Sequence, residues 1–158
     1  MTAGKQFRQT IIQEISEKAK KYCAYSERCT FDVKQKLTGL GADENTCQKI
    51  IKCLKQEGYI DDERFAMIFA KSKFNNNSWG KVKIRSELRK RGIKESTIEK
   101  AVEEIDKKAY FDHLKMIYQK KVRELKIKNK EHIKEKATAY CLQKGFEADL
   151  VFSVNSER

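Results

Sequence analysis

Three sets of residues in this 158-residue chain have the types and spacing that chemistry asks for. The first is Asp61-Asp62-Glu63. Three consecutive acids could begin a metal or acid/base site, but such a site needs further ligands at matching spacing and none follow. Carboxylates just ahead of an apolar periodic run instead accept hydrogen bonds from the first turn of a helix and favour its positive end, so this cluster is read as a cap. The second set is the five cysteines. Cys23/Cys29 and Cys47/Cys53 are each spaced more widely than a zinc pair, and His113 and His132 lie far along the chain on faces that read as polar. Cys23, Cys29, Cys47, Cys53 and Cys141 are expected to be reduced thiols. No serine or cysteine nucleophile can be matched with a histidine, and no glycine loop fits a phosphate-binding or dinucleotide fingerprint. The expectation is a protein with no catalytic residue, cofactor or metal.

The third set is basic. Lysine and arginine number 35 against 23 acids, a formal charge of +12, which favours nucleic acid or acidic protein partners. Lys81, Lys83, Arg85, Arg89, Lys90 and Arg91 crowd around a single Glu87. On a helix, Lys81, Arg85 and Arg89 share one line while Ile84 and Leu88 face the other way. The preceding Ser78-Trp79-Gly80, with Ser78 as cap, is expected to leave backbone N–H groups free for a phosphate beside Lys81 and Lys83. A second basic stretch includes Lys107, Lys108, Lys115, Lys120, Lys121, Arg123, Lys126, Lys128 and Lys130. Its lysine bias suits weak, non-specific attraction to single- or double-stranded DNA more than base reading.

These residues need helices to position them, and the chain supplies a repeat. Gly41, Gly92 and Gly145 each follow an apolar helical stripe and a basic turn, at a period of about 50 residues. Aligned on these glycines, Val33/Leu37 match Ile84/Leu88 and Ala137/Cys141. Cys47, Ile50, Ile51 and Leu54 match Ile98, Ala101, Val102 and Ile105, and loosely Val151 and Val154. Cys47 and Cys141 thus stand where the second copy has Ile98 and Leu88, which marks them as small apolar core residues. There is no proline. The fold class expected is all-α, an elongated tandem array of three-helix repeats. Residues 1–25 form an N-terminal helix, 26–60 the remainder of the first repeat, 61–106 the second and 107–158 the third. Caps are expected at Ser26, at Asp43, and at Asp61 or Asp62. Gly58 is read as a helix-ending glycine followed by apolar Tyr59-Ile60. The helix after Asp62 is expected to bury Phe65, Ile68 and Phe69. No apolar run is long enough to span a membrane, and the first residues lack a signal-peptide core, so the expected location is the cytoplasm.

Gly58-Tyr59-Ile60-Asp61-Asp62-Glu63-Arg64-Phe65-Ala66, followed by Gly80-Lys81-Val82-Lys83-Ile84-Arg85-Ser86-Glu87-Leu88-Arg89-Lys90-Arg91-Gly92-Ile93, resembles the RecX family of bacterial recombination regulators. Both hallmark segments stand at the family's interval, and the likeness extends over residues 20–106. It departs at Tyr25-Ser26-Glu27-Arg28-Cys29-Thr30, which lacks the family's basic run and serine, so no phosphate contact is assigned there. The resemblance implies a non-enzymatic protein that binds the RecA–DNA filament and damps RecA ATP hydrolysis, strand exchange and co-protease activity. On that reading Lys81, Lys83, Arg85, Arg89, Lys90, Arg91, Lys120, Lys121 and Arg123 contact partner protein or phosphate. The alternative is a direct DNA-binding architectural or regulatory protein using helix–turn–helix-like modules.

Overall fold

The computed structural model describes residues 2–157, and among these it contains nine α-helices and no strand. They fall into three triples. The first is α1 (Ala3–Tyr25), α2 (Thr30–Gly39) and α3 (Glu44–Gln56), and the second α4 (Asp62–Asn77), α5 (Lys81–Lys90) and α6 (Glu95–Glu103). The third is α7 (Lys107–Glu124), α8 (Lys130–Gln143) and α9 (Ala148–Ser156). The repeat read from the glycines is therefore present as three-helix modules. Compact packing groups the chain into two units, dividing within α4 between Phe65 and Ala66. The second and third modules thus share one unit, while the first has its own.

The glycines work through one device. At Gly41, Gly58, Gly92 and Gly145 the backbone has φ of +92°, +80°, +68° and +93°. This is the left-handed conformation that an L side chain resists. Around Gly92, the Gly92 N–H donates to Arg89 O (2.9 Å) and the Ile93 N–H to Leu88 O (3.2 Å). The same pair of bonds closes α3, with Gly58 N–H donating to Lys55 O and Tyr59 N–H to Leu54 O. These Schellman closures satisfy the last carbonyls and turn the next apolar residue back onto the helix.

In the first unit Ile15 and Ala19 of α1, Val33 and Leu37 of α2, and Cys47, Ile50, Ile51 and Leu54 of α3 form one core with Ile60. Asp43 caps α3 as expected, accepting from the Thr46 N–H at 2.8 Å. Ser26 does not cap α2; it closes the end of α1, and Cys29 takes the cap position. Of the acidic cluster, Asp61 caps its own helix by accepting from the Arg64 N–H at 3.0 Å. Asp62 serves a different helix. Its carboxylate accepts from the Thr30 N–H (2.7 Å) and Thr30 hydroxyl (2.8 Å) at the start of α2.

α4 buries Phe65 as expected, but within the second unit its inward face differs from the expected one. Ala66, Ala70 and Phe74 are buried, Phe69 is half-buried, and Ile68 stays 48% exposed. Ala66, Ala70 and Phe74 recur every four residues along this inner face. The Phe74 ring packs on Tyr110 (5.6 Å between centroids), and Tyr110 on Phe146 (5.2 Å), so the second and third modules share an aromatic core. Ser78 does not cap α5. It carries φ +57° at the close of α4, and Gly80 holds the cap position.

Candidate partner interface

The start of α5 is the place where free N–H groups were expected to hold a phosphate, and the protein itself occupies them. The Gly80 N–H donates to Lys144 O (2.8 Å) and the Val82 N–H to Gly145 O (3.0 Å), while the Lys81 N–H donates to the Tyr110 hydroxyl (2.9 Å). The carbonyl end of α8 thus plugs the amide end of α5, a head-to-tail arrangement that both helix dipoles favour. The two backbones approach so closely that a Cβ on Gly80 would collide with the carbonyl of Gly145. These three N–H groups are therefore closed to an anion.

The basic residues of α5 divide by what they touch. Arg85 makes a two-pronged bond to Glu99 (2.8 and 3.1 Å) and lies 4.0 Å from Glu147. The hydrogen bond to Glu99 raises the pKa of Arg85 and holds the Glu99 carboxyl below the usual range. Arg89 pairs in the same way with Glu95, and Lys90 and Arg91 both reach Glu87. The hydrogen bonds from Arg89 and Lys90 likewise lower Glu95 and Glu87. A bidentate arginine pair fixes geometry as well as charge, so Arg85 and Arg89 brace α5 against α6, while Lys90 and Arg91 pair within the last turn of α5. Lys81 and Lys83 instead lie over aromatic rings. The Lys81 ammonium is 4.8 Å from the centre of Tyr110, and the Lys83 ammonium 4.4 Å from that of Trp79.

Sequence reasoning passed over two lysines that complete this face. Lys73 also reaches Trp79 (5.0 Å), and Lys144 approaches Tyr140 (5.8 Å) while donating to Asn77 O at 3.2 Å. Lys121, taken from the third module's basic stretch, lies over the same Tyr140 ring at 4.7 Å. Among the described residues none of Lys73, Lys83, Lys121 and Lys144 lies within 4.0 Å of a carboxylate. Lys120 and Arg123 are exposed on α7. No periodicity signals this arrangement, because Trp79 sits in a loop and Tyr140 and Lys144 lie in another module.

Other candidates are absorbed by structure. Burial pushes the Cys29 thiol up to about 12 and the Cys141 thiol up to about 11, so both remain protonated and unreactive at neutral pH. His113 is not on a polar face. It is half-buried against Phe74 (5.0 Å), with Nε2 3.0 Å from the Ser78 hydroxyl, and its burial lowers its pKa. Among the described residues, no group of three or more His, Cys, Asp or Glu side chains is placed to hold a metal. No helix of the described residues is long and apolar enough to cross a membrane.

Fold and surface together define an all-helical protein of tandem three-helix modules with a lysine-rich face on the second and third. Residues 61–102 match the family described as RecX, second three-helix domain. The chain is 29% identical over 134 residues to the Regulatory protein RecX of Clostridioides difficile, covering 85% of this chain and 63% of that relative. It is 35% identical over 117 residues to the Regulatory protein RecX of Streptococcus uberis, covering 71% and 43%. The crystal structure of RecX from Lactobacillus salivarius has the same fold, with a TM-score of 0.81 at 23% identity over 92% of this chain and 95% of that one. The chain thus carries a match to one RecX domain, is similar over most of its length to proteins named Regulatory protein RecX, and shares the RecX fold. It spans 63%, 52% and 49% of the length of the RecX relatives from C. difficile, Bacillus cytotoxicus and Oceanobacillus iheyensis.

Proposed function

We propose that this chain regulates a RecA-type recombinase in the cytoplasm, binding the RecA–DNA filament and mainly inhibiting ATP hydrolysis, strand exchange and co-protease activity. The observation that carries the reading is the match of residues 61–102 to the second three-helix domain of RecX, on the segment that holds the basic α5. The tandem modules support it physically. Several weak contacts spread along one chain add through effective concentration, so modest charge attraction in each module yields tight binding to a repeating target. The role is regulatory rather than enzymatic, in keeping with the name of the relatives as regulatory proteins.

Contacts are assigned to Lys81, Lys83, Lys120, Lys121 and Arg123. The paired Arg85, Arg89, Lys90 and Arg91 contribute to the surface field while bracing α5. Reversing Lys83, Lys120 and Arg123 to glutamate tests the assignment while leaving the Arg85–Glu99 and Arg89–Glu95 pairs of α5 intact. Cosedimentation with RecA filaments over a salt series should show weaker binding and a salt slope shallower by about 2–3, since each phosphate contact contributes about 0.7–0.9 of a unit. Filament binding unchanged by the triple substitution contradicts the assignment.

A further inference from the structure

We propose that Trp79 and Tyr140, with Lys73, Lys83, Lys121 and Lys144, form a binding strip for single-stranded nucleic acid. This rests on the filament reading for its setting and deepens it, by assigning the strand rather than the recombinase to this face. The strip is continuous within one unit. Lys73 and Lys83 place their ammoniums 5.0 and 4.4 Å from the centre of the Trp79 ring, and Lys121 and Lys144 place theirs 4.7 and 5.8 Å from that of Tyr140. The two rings are joined through Lys144, whose backbone carbonyl accepts from the Gly80 N–H and whose ammonium donates to Asn77 O, on either side of Trp79. The next residue, Gly145, packs directly on the backbone of Lys83.

Charge complementarity identifies the occupant. The arginines of α5 are each paired with glutamate, whereas these four lysines lie within 4.0 Å of no carboxylate among the described residues. Two ammoniums gathered on each of two rings repel one another, and an anion between them relieves that repulsion. A phosphodiester chain brings the regularly spaced anion the strip lacks, which draws the ammoniums to phosphate, and flat unstacked bases to take their place on the half-buried rings. Base–aromatic stacking beside a basic track is the general means of holding a single strand without reading its sequence. A duplex keeps its base faces stacked inside the helix and offers only its phosphates. An acidic peptide would satisfy the lysines and leave the rings unused.

Trp79 is the sole tryptophan, so its fluorescence reports on this strip alone. The full chain is titrated with an oligothymidylate of about 20 nucleotides, with the fluorescence read alongside the anisotropy of a labelled strand. The expected result is saturable quenching that coincides with binding and weakens steeply with salt. Combining Lys73→Glu with Lys121→Glu should weaken binding at least tenfold, with the circular dichroism spectrum unchanged. Trp79→Phe should retain most of the affinity, and Trp79→Ala should lose about tenfold. Three results overturn the inference: no quenching, binding indifferent to the double substitution, or equal quenching by polyglutamate or a blunt duplex. Inhibition of RecA ATP hydrolysis by the unsubstituted chain is measured in parallel. If inhibition is intact while quenching is absent, the strip falls and the filament reading stands. If quenching occurs as described and inhibition is absent, the filament reading falls and the strip stands.

Discussion

Gly80 has no room for a side chain. A methyl group there would meet the carbonyl of Gly145, which itself accepts from the Val82 N–H. Gly80→Ala is therefore expected to cost about 2–4 kcal/mol through overpacking against backbone that cannot retreat without breaking those bonds. Gly92 has open space around its Cβ position and only its φ of +68° to object, so Gly92→Ala should cost about 1–2 kcal/mol. Urea denaturation of the two variants ranks them, and equal destabilisation contradicts the interlock. His113 gives a second test at this scale. Burial lowers its pKa from the ordinary 6.5, so the folded state disfavours the protonated ring. The unfolded chain then binds more protons, and stability rises with pH through the window just below that value and is lost as the pH falls. His113→Asn should flatten the change in melting temperature between about pH 6.5 and pH 5, above the range in which the carboxylates titrate. Local chemistry was legible at Asp61, whose partner is three residues away, and not at Asp62, whose partner Thr30 lies 32 residues back.

Among the elements, α2 depends on a residue outside its own sequence. Asp62 supplies the acceptor for the Thr30 N–H and hydroxyl that a cap residue ordinarily supplies, since Cys29 stands at the cap position. Asp62→Ala should cost the first unit about 1–3 kcal/mol, and Thr30→Val less, because it removes only the hydroxyl bond. Thermal melts of the two variants check the order. The same principle explains which helices were readable. Glycine closures and the stripes of α3, α5 and α6 follow from spacing alone, and the buried residues Ile50, Leu54, Ile84, Leu88, Ile98 and Val102 lie on the expected faces. The face of α4 does not follow from spacing. Ranking by hydrophobicity picks Ile68 and Phe69, but the packing needs the small Ala66 and Ala70 and leaves Ile68 and Met67 exposed. The α5 terminus failed for a related reason. A helix start looks free in one dimension, and here the end of α8, more than sixty residues away, fills it.

For the whole molecule, the excess of +12 is not spread evenly in its consequences. Much of the arginine charge on α5 is engaged by glutamates of α5, α6 and the segment before α9, whereas the lysines around Trp79 and Tyr140 lie over aromatic rings. Composition made an anionic partner legible, and the repeat made an array of helical modules legible. Which cations face outward was not, because pairing joins residues from different helices. We propose that this RecX-like chain restrains a RecA filament. The most direct test is the rate of single-stranded-DNA-stimulated ATP hydrolysis by RecA of the same organism as the chain is titrated in. The expected result is suppression at substoichiometric amounts, relieved by the Lys83→Glu, Lys120→Glu, Arg123→Glu triple substitution. An unchanged rate, with tight binding to bare DNA, contradicts it and assigns the molecule to direct DNA binding.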